Sequence, residues 1–263
     1  MDVINVIKTE RKQCVCCMEE HDVSTMRCRN KVAIKGVSVE YDAIYEFCEN
    51  DGGYWETGEM ITANHESLLA SYRATTLPFY NKLDMIRQIY GNEMCVDEPI
   101  NIYLKILLHT SIKNFYQMFG ANKPLLSAMY QVKSIEELVI EDDLIVLADE
   151  HQAACQLAIN TKTWKPVYLD TENGICEELD QSLEDFLIWI SAIQGIEYLP
   201  CAGTIGMENI PKLNKYATKI SEDVWIFDNL ICVCVDDDIF LAANSDKQME
   251  TFEKTLNIEV NYF

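Results

Sequence analysis

Basic charge is what this chain lacks most. Its 263 residues carry 21 Lys and Arg against 43 Asp and Glu, a formal net charge of −22. So acidic a surface repels phosphate backbones and anionic lipid headgroups, which argues against direct nucleic-acid or membrane-surface binding. Long apolar runs are also missing. The longest, at 102–108 and 230–235, fall far short of the roughly 20 residues a spanning helix needs. The opening stretch MDVINVIKTERKQC holds no apolar run of signal-peptide length, so the expectation is a soluble, cytoplasmic protein. Neither a P-loop nor a dinucleotide-binding glycine pattern occurs; CAGTIG at 201–206 lacks the spacing and the Lys of a phosphate cradle. Histidine is scarce, with only His21, His65, His109 and His151. A Cys–His hydrolase would have to draw on a pair such as Cys155 and His151, and Cys155 sits in apolar strand text that reads as core. The carboxylate pairs at 136–137, 142–143 and 236–238 read as turns and solvated strand ends rather than as an acid and a base. The last of them also lacks the regular oxygen-ligand spacing of a calcium loop. A non-catalytic protein is expected.

Cysteine, by contrast, is abundant. Eleven is an odd number in a large chain, which speaks for metal ligands or small core hydrophobes rather than a disulfide framework. Cys14, Cys16, Cys17, Cys28 and Cys48 crowd the first fifty residues, while Cys95, Cys155, Cys176, Cys201, Cys232 and Cys234 are dispersed and read as core or surface thiols. Cys14-x-x-Cys17 is a zinc-knuckle spacing, because a tight turn lets both thiolates reach one tetrahedral ion. A second pair is due one hairpin later, where Cys48 ends the strand-like IYEF and Asp51 stands three residues on. The expected ligand set is therefore Cys14, Cys17, Cys48 and Asp51 around a structural zinc, with His21 and Cys28 as other candidates for the fourth place. The alternative is a small hairpin module held by apolar packing and by the helix that follows it.

Apolar residues make up 49% of the chain and charged residues 24%, enough to bury a core and too little charge for disorder. The acidity is uneven: residues 1–83 carry a net −4 and residues 84–263 a net −18. The two parts join through a helical connector rather than a Pro/Gly/Ser linker. In the first part, 23–28, 31–36 and 37–47 alternate as strands, with Gly36 as a turn, and 64–73 and the segment after Pro78 read as helices. In the second, helices are expected over 100–108, 111–119 (stopped by Gly120) and 182–194 (stopped by Gly195). Strands are expected at 144–148, 154–159, 167–169, 225–227, 231–235, 240–243 and 258–263. Ser134-x-x-Glu137 and Ser245-x-x-Gln248 are capping boxes. Sequence-adjacent strands joined by tight turns argue an α+β fold: a small β-rich module over 1–83 and a mostly antiparallel sheet packed on helices over 84–263.

Two resemblances overlay this reading. The run CVCCMEEH (14–21), with 39–48 and YWETGEM (54–60), resembles the zinc-finger domain of YgiT-type antitoxins across 12–73. It departs from that family at the second Cys-x-x-Cys, where Asp51 stands, and it lacks the helix-turn-helix domain that usually follows. In that family the zinc-finger half contacts the toxin. The segments IKNFYQMFG (112–120), ELVIEDDLIVLADEHQAACQLAI (137–159), KPVYLD (165–170) and SLEDFLIWI (182–190) resemble the SUKH superfamily of immunity proteins, with Glu150-His151-Gln152 in the turn between two strands and Leu157 where that family usually has Trp. These resemblances imply a non-catalytic antitoxin or immunity protein that neutralises a partner toxin, commonly a nuclease. The acidity of the larger part places the expected contact on an acidic face drawn from 136–143, 149–150, 177–185 and 236–238. A regulatory metalloprotein acting through the zinc-finger-like module is the competing reading, and an uncharacterised hydrolase the third.

Overall fold

A computed structural model of the chain describes residues 2–34, 37–91, 108–151 and 154–263. The turn at Gly36, the helix over 100–108 apart from its last residue, Cys95 and Gln152 lie outside the described residues. The fold is α+β, with antiparallel sheets, and it divides into two compact units: 1–76 with 210–219, and 77–209 with 220–263. The position 83 taken from the sequence as a boundary lies inside a helix of the second unit.

The first unit is a four-stranded antiparallel sheet in the order β1 (Asp2–Gln13), β2 (Glu20–Ile34), β3 (Val37–Cys48), β4 (Tyr54–Trp55), followed by α1 (Gly58–Thr76). β2 is one continuous strand where two were expected. α1 begins six residues earlier than its apolar spacing suggested, because polar Asn64 is itself an inward residue. Its amide accepts from the Ile44 N–H (2.7 Å), donates to the Ile44 carbonyl (2.9 Å) and donates to Glu56 (2.6 Å). A side chain thus satisfies the backbone of β3 where no strand does, as buried backbone polar groups require. After its excursion through the second unit the chain returns to the first as α7 (Ile210–Tyr216) and β12 (Thr218–Lys219).

The second unit opens with α2 (Phe79–Tyr90), α3 (Thr110–Phe119) and α4 (Lys123–Leu126). One antiparallel sheet follows, in the order β10 (Ile175–Glu178), β9 (Pro166–Asp170), β8 (Cys155–Asn160), β7 (Leu144–Glu150), β5 (Tyr130–Val132), with β6 (Ile140–Glu141) also on β7. Then come α5 (Leu183–Ile193) and α6 (Gly195–Tyr198). A second sheet runs β13 (Val224–Phe227), β14 (Leu230–Val235), β15 (Asp238–Ala243), β11 (Cys201–Gly206), β16 (Asn261–Tyr262), with α8 (Asp246–Leu256) before its last strand. One core runs through this unit, from Leu83, Ile86, Phe115 and Tyr116 to Ile145, Ile159, Phe186, Leu187, Ile231 and Val233.

α5 lies at the centre of that core. The sequence predicts four inward residues, yet eight of its eleven are buried, because α2 and α3 cover one flank and β13 and β14 another. Beyond its acidic first turn the helix is apolar on nearly every side, and such a helix belongs inside. Its polar exit residue Gln194 is buried and fully used, accepting from Tyr130 N–H (2.7 Å) and donating to the carbonyls of Leu125 (2.7 Å) and Tyr130 (2.9 Å). Gly195 leads straight into α6 instead of ending the helix, and its missing side chain makes room for the Tyr90 ring. Gly120 likewise stays helical, at φ −62°, and needs none of glycine's freedom. Ser134 and Glu137 form a capped turn, the Ser134 N–H donating to the Glu137 carboxylate (2.7 Å). Among the described residues no helix is long and apolar enough to cross a membrane.

Candidate functional site

The first unit carries a cluster of soft donors at the end of its sheet. Two turns build it with the same backbone geometry. In the β1–β2 turn the Met18 N–H donates to the Cys14 carbonyl (3.0 Å) and the Cys14 N–H to the Glu19 carbonyl (2.8 Å). In the β3–β4 turn the Gly52 N–H donates to the Cys48 carbonyl (2.8 Å) and the Cys48 N–H to the Gly53 carbonyl (2.9 Å). The fourth residue after each leading cysteine is left-handed: Met18 at φ 61° and Gly52 at φ 75°. Cys14 and Cys48 are therefore equivalent positions, and Asp51 occupies in the second turn the place Cys17 holds in the first.

Asp51 lies outside the cluster of four donors. Its Oδ1 accepts from the Gly53 N–H at 2.7 Å, which holds the carboxylate to its own turn, as an Asp before a glycine commonly is. His21, at the start of β2, takes the place instead. Sγ of Cys14, Cys17 and Cys48 and a ring nitrogen of His21 all lie within 4.8 Å of one another. Cys28, the remaining candidate, sits on β2 opposite Ala43, five residues along from the Val23–Cys48 pair, or about 17 Å at strand rise. Of the expected ligands Cys14, Cys17 and Cys48 lie together, and His21, one of the alternatives for the fourth place, joins them.

The imidazole is oriented for this role. Nδ1 lies 2.7 Å from the Asp22 carbonyl, which can only accept, so Nδ1 bears a proton, and Nε2 faces Cys48 Sγ at 3.4 Å. Such a backbone contact is the usual support of a metal-bound histidine. Asn50 donates toward Cys17 Sγ (3.9 Å) and Glu19 (3.5 Å), tying the two turns together. Cys14 and Cys48 expose no surface, beneath a thin cover of Cys16, Cys17, Val23 and Trp55.

The electrostatics of the donor set point to a cation. Burial alone would raise the Cys14 thiol, but the Cys17 backbone, then Cys48 and His21, hydrogen-bond its thiolate and hold it at about 6. Burial pushes Cys48 up to about 12, and its neighbours Cys14 and Cys17 add to the rise. His21 is raised, chiefly by its hydrogen bond with Cys14. Three sulfurs this close share their negative charge poorly unless a positive ion sits among them. The residues present fit a metal ion, and with all four donors from protein the site is of the closed kind that shapes a fold.

The second unit gathers carboxylates at one end of its first sheet. Asp143 and Lys162 pair at 2.6 Å, Glu178 accepts from Asn160 and Thr163 at 2.9 Å each, and Lys165 stands 3.8 Å from Asp180. The β6–β7 turn, the β8–β9 turn and the end of β10 therefore meet, bringing 141–143 and 178–180 together. Beside them a cleft of about 420 Å³ is lined by Lys133, Glu137, Val139, Glu141, Asp142, Leu144 and Val146. The four acidic runs do not all converge: Asp149 and Glu150 lie at the opposite end of β7, where Asp149 pairs with Lys133 (3.4 Å). Asp236 turns the separate β14–β15 hairpin at φ 53°. His151 is hydrogen-bonded to the Ala128 carbonyl.

No protein-family model, curated protein or solved structure matches this chain.

Proposed function

We propose that this is a non-catalytic, partner-binding protein of the antitoxin or immunity kind, in which a zinc knuckle builds the first unit and the second presents an acidic docking surface to a cationic toxin. Zinc is the metal that suits a Cys₃His set. A tetrahedral ion with bonds of about 2.3 Å to sulfur sets neighbouring donors about 3.8 Å apart, a small contraction from the arrangement described. Cys14, Cys17, Cys48 and His21 would hold it, and it would supply structural cross-linking of the two turns.

The observation that carries the docking role is the charge distribution. The second unit has 30 acidic and 10 basic residues, −20 of the chain's −22, and two of its acidic runs meet beside the cleft. Carboxylates so gathered resemble the phosphates a basic nuclease binds, which gives steering and selectivity for such a partner. The resemblance of 12–73 to YgiT-type zinc fingers and of 85–263 to SUKH proteins supports the same reading. The test is the affinity of the chain for the toxin-like product of a neighbouring reading frame, measured against salt. An electrostatic decoy loses at least about tenfold in affinity between 50 and 300 mM salt (on the order expected as screening shortens); a salt-insensitive complex contradicts it.

A second reading, in which the knuckle itself is the contact surface, is favoured by exposed apolar Val15 (65%) and Met18 (69%) on its outer turn. A complex that ignores salt but is lost on Met18→Asp would select it.

A further inference from the structure

Cys16 is the fifth sulfur of the knuckle and the one that the donor set leaves out. The cluster within 4.8 Å is Cys14, Cys17, Cys48 and His21. The two residues between Cys14 and Cys17 behave differently. Val15 stands exposed, whereas Cys16 packs against the core of Cys14, Val23 and Cys48 and keeps only part of its surface in solvent. It reaches over the second turn: a Cβ on Gly53 would stand 3.0 Å from its sulfur, so the bare glycine leaves room for it. Its backbone N–H donates to the Cys14 sulfur, and its thiol hydrogen-bonds with the same atom.

Cys14 and Cys16 are thus a close pair of thiols with unequal duties. Cys14 is fully buried and belongs to the donor set, while Cys16 lies outside that set and is open to solvent. Two residues apart along the chain, their Cα atoms stand no more than about 7 Å from each other, and a turn shortens that into the span of a disulfide. Cys17 is the poorer match for Cys16. A bond between neighbours closes a ring across their shared peptide, which must then leave planarity. Asn50 also engages the Cys17 sulfur, at 3.9 Å.

We propose that Cys16 is an oxidation site for hydroperoxides, and that its disulfide with Cys14 dismantles the donor set. The inference rests on the metal reading of the Cys–His cluster. The Cys16 thiol takes one oxygen from the hydroperoxide: the O–O bond breaks, the sulfur is oxidised to a sulfenic acid, and the peroxide is reduced to water or an alcohol. The Cys14 thiolate then attacks the Cys16 sulfur. The S–S bond forms, the S–O bond breaks, and hydroxide leaves and takes a proton from solvent to become water. Cys17, Cys48 and His21 remain, one donor short of a closed tetrahedral site. A dithiol reductant returns both thiols and with them the full set.

Hydrogen peroxide added to the zinc-loaded chain tests this, with two readouts. One is zinc release to a chromogenic chelator. The other is differential alkylation, in which thiols left free take one label, thiols recovered by reduction take a second, and fragment masses assign each label. The wild type is expected to release zinc and to carry the second label on Cys14 and Cys16, with the first on Cys17 and Cys48. Cys16→Ser keeps all four donors, so it binds zinc at wild-type stoichiometry and releases it at least about tenfold more slowly. Cys176→Ser removes an exposed thiol of the other unit and releases zinc at the wild-type rate. Far-UV circular dichroism before oxidation checks that each variant is folded. Release from Cys16→Ser as fast as from wild type, or a second label on Cys17 or Cys48 in place of Cys16, overturns the inference. A chain that forms no Cys14–Cys16 bond overturns it whether or not zinc is bound. A chain that forms this bond but never binds zinc upholds the oxidation site and overturns the metal reading instead.

Discussion

Asn64 and His21 are single side chains whose partners decide more than their types suggest. Asn64 replaces a missing strand neighbour for both polar groups of Ile44. Asn64→Ala leaves buried donors and acceptors unpaired and should cost about 2–4 kcal/mol, read as a lower urea midpoint at unchanged slope; a change below about 0.5 kcal/mol, the usual size of a surface effect, contradicts the geometry. At the Cys–His cluster, Asp51→Asn keeps the turn contact to Gly53 and should leave metal stoichiometry unaltered. His21→Ala should weaken retention by more than the roughly 10–100-fold that loss of a supporting contact costs. A competition titration with a chromogenic chelator distinguishes the two, and the reverse ranking would restore Asp51 as ligand. The knuckle spacing made Cys14 and Cys17 legible from sequence, and the strand end did the same for Cys48. His21 was legible only as an alternative, because spacing alone cannot tell which polar side chain the turns bring up to the cysteines.

Elements were legible where apolar residues follow a period and illegible where both faces share one fate. α2, β7, β14 and α8 lie where the patterns place them, with Ser245 at the α8 N-cap position and Gln248 reaching back to the Asn244 N–H (2.9 Å). β1 escaped because its apolar residues come in exposed doublets rather than alternation. CAGTIG, of interest at first only for the phosphate cradle it lacks, is β11, hydrogen-bonded to β15 on one side and β16 on the other. Its glycine has a packing reason. A Cβ on Gly203 would stand 2.6 Å from Val260 Cγ1 and 2.9 Å from the Asn261 carbonyl oxygen. Since the second contact is backbone, β16 must move. Gly203→Ala should therefore destabilise by about 1–3 kcal/mol and unprotect the amides of residues 260–262 in hydrogen exchange, whereas unaltered protection there would show that the strand tolerates the methyl group.

At the scale of the molecule, the second unit has a broad core and the knuckle end of the first has a small one, centred on Cys14, Val23 and Cys48. Alkali acts on the broad core. Burial raises the Tyr130 phenol to about 12, helped by Cys155 and Glu150, and raises Tyr116 further in the same direction. Unfolded phenols ionise near pH 10, so the native state binds more protons above that pH; stability is unaffected by these groups below it and falls as pH rises toward 12. Melting temperatures recorded from pH 9 to 11.5 should drop progressively beyond 10, and a flat profile would contradict the burial of these rings. On the proposed reading the knuckle end depends instead on a bound metal, as small cores commonly do. The most direct measurement is therefore metal analysis with X-ray absorption on this chain purified without chelators. The account predicts about one zinc per chain, with three sulfurs near 2.3 Å and one nitrogen near 2.0 Å. Well under about 0.3 zinc per chain, against the full occupancy a structural site requires, or a coordination shell lacking nitrogen, would contradict it.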